Sequence, residues 1–105
     1  MTLAITNAKI VLVNEIIDNG ILIIEDDKIK NFGKKDEIII SNDSTVIDAN
    51  GMYVGPGFID IHCHGGNGFR FDENPIGAAD YFLKSGTTTI LPTLYTDISP
   101  NQPIE

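Results

Sequence analysis

The stretch Gly55-Pro56-Gly57-Phe58-Ile59-Asp60-Ile61-His62-Cys63-His64-Gly65-Gly66-Asn67-Gly68 decides how the rest of the chain is read. Pro56 has no amide donor, so a sheet ladder cannot run through it unbroken. The run after it, Phe58 to His62, has the length and composition of a strand. Side chains alternate along a strand, so His62 and His64 share one face, Asp60 lies one pleat further down, and Cys63 points the other way. Two imidazoles at this spacing can converge on one cation at about 2.0–2.1 Å from each nitrogen. Asp60 can support such a site from behind the ligands, whereas Cys63 suits a small buried hydrophobe. A bare His-x-His also arises by chance on protein surfaces, and the glycines serve a tight turn as readily as the close approach of a substrate. On spacing alone both readings stand.

Downstream, Asn74-Pro75 is a helix start, with asparagine as N-cap and proline at the first helical position. Ile76, Ala79, Phe82 and Leu83 recur at helical spacing, and Gly86 supplies a left-handed end. Thr87-Thr88-Thr89-Ile90-Leu91 is β-branched and strand-like, stopped by Pro92. Strand, helix and strand with short connections predict a βαβ unit with parallel, neighbouring strands. The histidines then sit at the C-terminal end of the first strand, the end where α/β folds bind ligands.

Upstream of Gly51 the chain is β-type. Twelve of its 18 isoleucines precede Asp48. Strands are expected near Leu3–Val13, Ile21–Glu25, Lys28–Phe32 and Thr45–Asp48. Asn19-Gly20 and Asp26-Asp27 read as hairpin turns between them. No ligand or nucleophile pattern occurs in this half. The predicted fold class is α/β with a β-rich N-terminal part, divided into residues 1–52 and 53–105.

Composition narrows the function. With 105 residues, 42% hydrophobic and 21% charged, the chain is globular in character. A formal charge of −8 is unsuited to a nucleic-acid backbone or an anionic membrane. The single cysteine excludes a disulfide within the chain. No signal-peptide pattern opens the sequence, and no apolar run approaches the roughly 20 residues that span a bilayer, so a cytoplasmic location is expected. Gly65, Gly66 and Gly68 do not form the dinucleotide fingerprint G-x-G-x-x-G, and no G-x-S-x-G elbow is present.

Pro56-Gly57-Phe58-Ile59-Asp60-Ile61-His62-Cys63-His64-Gly65 resembles the motif that opens the barrel in the amidohydrolase superfamily. Ile21–Ile24 with Asp27-Lys28-Ile29, and Val46–Gly51, resemble its upstream segment. Two stretches favour the N-acetylglucosamine-6-phosphate deacetylase family within it: His64-Gly65-Gly66-Asn67-Gly68-Phe69, continuing to Phe71-Asp72, and Lys84–Leu94, ending in Tyr95-Thr96. Dihydroorotases and hydantoinases share the His-x-His and usually continue differently.

The resemblance covers essentially the whole chain but only the first quarter to third of such an enzyme. It implies part of a small β-sandwich over 1–52 and the start of a (β/α)8 barrel over 53–105, a fold that needs roughly 250 residues when complete. It also implies that His62 and His64 are the first two ligands of one or two divalent ions, zinc above all. Some deacetylases of the family replace these histidines; this sequence keeps both. A metal-activated water would attack the acetamide, and a carboxylate would pass a proton to the departing amine. The substrate class is an amino-sugar phosphate, and the full-length protein is expected to be a homodimer. The remaining ligands and the general acid–base Asp are expected beyond residue 105, so this stretch alone should be inactive. The other readings are a cyclic-amide hydrolase of the same superfamily and a non-catalytic β-rich interaction module.

Overall fold

The computed structural model describes residues 1–94, so Tyr95 and Thr96 of the downstream motif lie outside the described residues. The chain divides into two compact units, Met1–Pro56 and the residues from Gly57 onward.

In the first unit, β1 (Thr2–Val11), β2 (Ile16–Glu25), β3 (Lys28–Lys34), β4 (Thr45–Asp48) and β5 (Tyr53–Val54) form one five-stranded sheet. β1, β2 and β3 make an antiparallel meander, while β4 and β5 both run parallel to β1. Ile21, Leu22 and Ile23 are buried in succession, without the alternation of a half-exposed strand. Both faces of β2 are covered. Leu22 packs with Ala8, Ile10 and Ala49 on one side. Ile21 and Ile23 pack with Ala4 on the other, beneath Ile38 and Ile40. The layer over that face is therefore the segment following the short 3-10 turn Lys35–Glu37, and no second sheet is formed among the described residues of this unit.

Two sequence expectations shift here. Asn19-Gly20 is not a hairpin turn. The β1–β2 connection closes at Leu12–Glu15, where the Leu12 amide donates to the Glu15 carbonyl at 2.9 Å. Asn19 (φ 48°) instead sits where the β1–β2 register slips between Ala8↔Gly20 and Ile10↔Ile17. A residue in the left-handed region serves a bulge as well as a turn, and the local dipeptide does not distinguish them. The break between units also falls at Pro56 rather than after residue 52, because Tyr53 and Val54 pair with Lys9 and Ile10. Asp26-Asp27 does form the two-residue β2–β3 turn, flanked by the pair Glu25↔Lys28, with Asp26 at φ 56°.

The second unit contains β6 (Phe58–Cys63), β7 (Gly65–Gly66), β8 (Phe69–Arg70), α1 (Pro75–Lys84) and β9 (Thr87–Pro92). β6 and β9 are parallel neighbours, and α1 connects them, as the spacing predicts. The Asn74 side chain caps α1 by accepting from the Gly77 amide at 2.9 Å. At the other end, Gly86 (φ 92°) donates its amide to the Leu83 carbonyl at 3.0 Å. The core is Cys63, Phe71 and Ala78, joined by Ala79, Phe82 and Ile90. Phe71 and Phe82 stack with centroids 5.9 Å apart. The buried helix face is thus Ala78–Ala79–Phe82. Ile76 and Leu83, assigned to that face from periodicity, are 82% and 59% exposed. Ala78 and Phe82 are one turn apart and share a stripe, and Ile76 and Leu83 are rotated off it.

Candidate metal centre

β6 ends at Cys63, so His62 and His64 bracket the strand terminus. Cys63 anchors that terminus: it is buried against Phe71 and Ala78. Its carbonyl accepts the Thr93 amide at 2.7 Å, tying the segment to the end of β9. With the odd residue held in the core, the pleat turns its two neighbours away from it.

The imidazole rings of His62 and His64 lie 5.2 Å apart, centroid to centroid, with planes at 89°. A ring nitrogen at about 2.0–2.1 Å from zinc places its ring centroid roughly 3.2 Å from the ion, and two such rings at a tetrahedral angle have centroids roughly 5.2 Å apart. The observed ring separation matches that spacing. Two nitrogens are short of the protein donors that such an ion takes, and no cluster of three His, Cys, Asp or Glu side chains occurs among the described residues.

Asp60 acts on the main chain: its Oδ1 accepts the His62 amide at 3.0 Å. It holds the backbone that carries His62. Burial, and secondarily the Asp60 charge, pushes the Cys63 thiol up from its ordinary value. A thiol so raised stays protonated at neutral pH and is a poor metal donor, in line with its place in the core.

The loop that follows is more constrained than its glycines suggest. β7 and β8 pair as Gly65↔Arg70 and Gly66↔Phe69 around Asn67-Gly68. A Cβ on Gly66 would overlap the Tyr81 ring of α1. The Phe71 amide returns to the His64 carbonyl at 3.1 Å. Arg70 forks onto the Asp72 carboxylate, Nε at 3.0 Å and Nη2 at 2.7 Å. Neither the Gly66–Tyr81 approach nor the Arg70–Asp72 fork follows from a spacing rule; the first joins residues far apart in sequence. The first unit has a separate groove of about 430 Å³, lined by apolar side chains including Ile10, Leu12, Leu22, Phe32 and Val54. Its lining contains no acid, base or nucleophile and so offers no catalytic group.

No family model matches the chain. It is 37% identical over 93 residues to an adenine deaminase of Staphylothermus marinus, which aligns with 85% of this chain and 15% of that protein. It is 38% identical over 88 residues to a dihydroorotase of Caldicellulosiruptor saccharolyticus, covering 82% of this chain and 20% of the relative. Among solved structures, the N-acetylglucosamine-6-phosphate deacetylase of Pasteurella multocida superposes with a TM-score of 0.75 at 27% identity, covering 96% of this chain and 27% of the other. The chain thus spans a fifth or less of these two sequence relatives and about a quarter of that structure. Together these likenesses support placing the chain in the amidohydrolase superfamily, without separating its member families.

Proposed function

We propose that this chain is the N-terminal part of a metal-dependent amide hydrolase, and that the whole enzyme deacetylates N-acetylglucosamine 6-phosphate. The observation that carries the metal assignment is the 5.2 Å pairing of His62 and His64 at the end of β6. The likeness over 96% of the chain to a deacetylase structure supports the substrate, as do the stretches His64–Phe69 and Lys84–Leu94.

His62 and His64 would hold the ion, Asp60 fixes the main chain of His62, and Cys63 locks the strand end into the core. When bound, a divalent ion supplies Lewis acidity and an acidified water at neutral pH. The β7–β8 hairpin follows His64 directly, and Tyr81 and the Arg70–Asp72 fork hold its shape. The proton-transfer carboxylate and the remaining donors are assigned to later parts of the enzyme.

A second reading, hydrolysis of a cyclic amide or deamination of a purine base, is favoured by the sequence relatives, a dihydroorotase and an adenine deaminase. The test uses the full-length enzyme, assayed for bound metal and for turnover of N-acetylglucosamine 6-phosphate, dihydroorotate and adenine. Acetate release from the sugar phosphate is expected. His62→Ala and His64→Ala should each lower metal content and cut turnover by at least about 100-fold. Turnover of dihydroorotate or adenine alone would replace the first reading with the second. Wild-type metal content and activity in both variants would overturn the site.

A further inference from the structure

Asparagine followed by glycine occurs at Asn19-Gly20, Asn50-Gly51 and Asn67-Gly68. In each pair the asparagine is left-handed, at φ 48°, 51° and 52°. Asparagine is a thermolabile residue. A following glycine has no side chain to obstruct attack by its own main-chain nitrogen on the asparagine side chain. Local sequence therefore ranks the three pairs equally, and the fold separates them.

Gly20 is buried in the middle of the first sheet, paired with Ala8 on one side and Lys34 on the other. The Gly51 amide donates to the Asn7 carbonyl at 2.8 Å, and the Asn50 amide donates to Asp48 Oδ1 at 2.7 Å. Gly20 is fixed within the sheet and the Gly51 amide is already bonded, so at both sites the chain must open locally before the glycine nitrogen can attack. Asn67 and Gly68 are exposed and form the two central residues of the β7–β8 hairpin. The closing pair is Gly66↔Phe69, which leaves the Gly68 amide outside the ladder. A Cβ built on Gly68 would meet nothing within 4 Å, as is also true at Gly51, so it is the bonded Gly51 amide that separates these two pairs.

We propose that Asn67 is a site of spontaneous, backbone-assisted deamidation, placed within the loop that follows the paired histidines. The Gly68 nitrogen bonds to Asn67 Cγ and the Cγ–Nδ2 bond breaks. Ammonia leaves carrying the Gly68 amide proton, and a five-membered imide remains. Water opens the imide at either carbonyl, giving aspartate or isoaspartate at position 67. No oxidant or reductant is involved. The isoaspartyl form adds a methylene to the main chain, which a two-residue turn cannot absorb while keeping Gly66 opposite Phe69. The Phe71 amide bond to the His64 carbonyl lies just beyond that pairing, so the product loosens the loop at His64. The inference rests on the hairpin and stands whether or not the histidines hold a metal.

The full chain would be aged at mildly alkaline pH, folded and in urea. Peptide mass spectrometry would then give the rate at each asparagine, with enzymatic methyl labelling to count isoaspartate. In the folded chain, position 67 should convert at least about tenfold faster than positions 19 and 50, because those require local opening first. In urea the three rates should converge. Asn67→Gln, which keeps the amide but disfavours the five-membered ring, should abolish label in the 65–71 segment. Faster conversion at Asn19 or Asn50 in the folded chain would overturn the proposal. So would a ranking that persists in urea, since local sequence and not the hairpin would then set it.

Discussion

Replacing Gly65 by alanine should do far more damage than replacing Gly68, although the two glycines lie in the same short loop. Gly65 has φ +150°, a conformation that side chains rarely adopt, and its new methyl would overlap the Phe69 carbonyl oxygen. The Arg70 Cα at 2.8 Å and the Phe69 carbonyl carbon at 2.9 Å are main-chain atoms of the paired strand and cannot rotate away. Backbone strain of about 1–3 kcal/mol adds to overpacking of about 1–3 kcal/mol, for a total near 4 kcal/mol. Gly68 at φ +80° faces open space, so only the left-handed cost of about 1–2 kcal/mol applies. With a urea m-value of about 2 kcal/mol/M, the midpoint should fall by about 2 M for Gly65→Ala and by less than about 1 M for Gly68→Ala. The assay is urea unfolding followed through the His62 and His64 imidazole resonances, which report on the second unit. Equal midpoint shifts for the two variants would refute the close-approach argument and with it the rigid description of the loop behind His64.

Phe71→Ala removes the ring stacked on Phe82 from a buried cluster and should destabilise the second unit by about 3–5 kcal/mol in thermal melts. Ile76→Ala on the exposed side of α1 should stay within about 0.5 kcal/mol. Asn74→Ala should cost about 1 kcal/mol in chemical denaturation through loss of the bond from the Gly77 amide, and Asn74→Ser should recover most of it. The Ser41 hydroxyl, aided by the Asp43 amide, holds the Asp43 carboxyl below its ordinary value. Because the folded value is the lower one, this small contribution is full above the ordinary carboxylate range and is lost as pH falls through the folded value. A carbon-detected titration of Asp43 should therefore shift upward in Ser41→Ala.

Much of the architecture is written locally. Pro56 interrupts the chain where the units part, Asn74-Pro75 and Gly86 bound α1, and β-branched runs mark β4 and β9, because caps and proline act within a few residues of themselves. Strand alternation likewise sets Cys63 apart from His62 and His64 before any contact is known. What failed were local signals with two tertiary meanings. Asn19-Gly20 is a bulge because Ala8 and Ile10 on the partner strand set the register. Ile76 is exposed because Phe71 and Cys63 meet α1 along the Ala78–Phe82 stripe.

The sequence by itself determined which residue types could bind a cation and at what spacing along one strand. Tertiary structure decided that the two imidazoles stand 5.2 Å apart, that Asp60 serves the His62 main chain, and that Tyr81 and Phe69 leave room only for glycine at positions 66 and 65. Such distances depend on how a helix and a hairpin distant in sequence close on the strand end, and periodicity within one element cannot encode them.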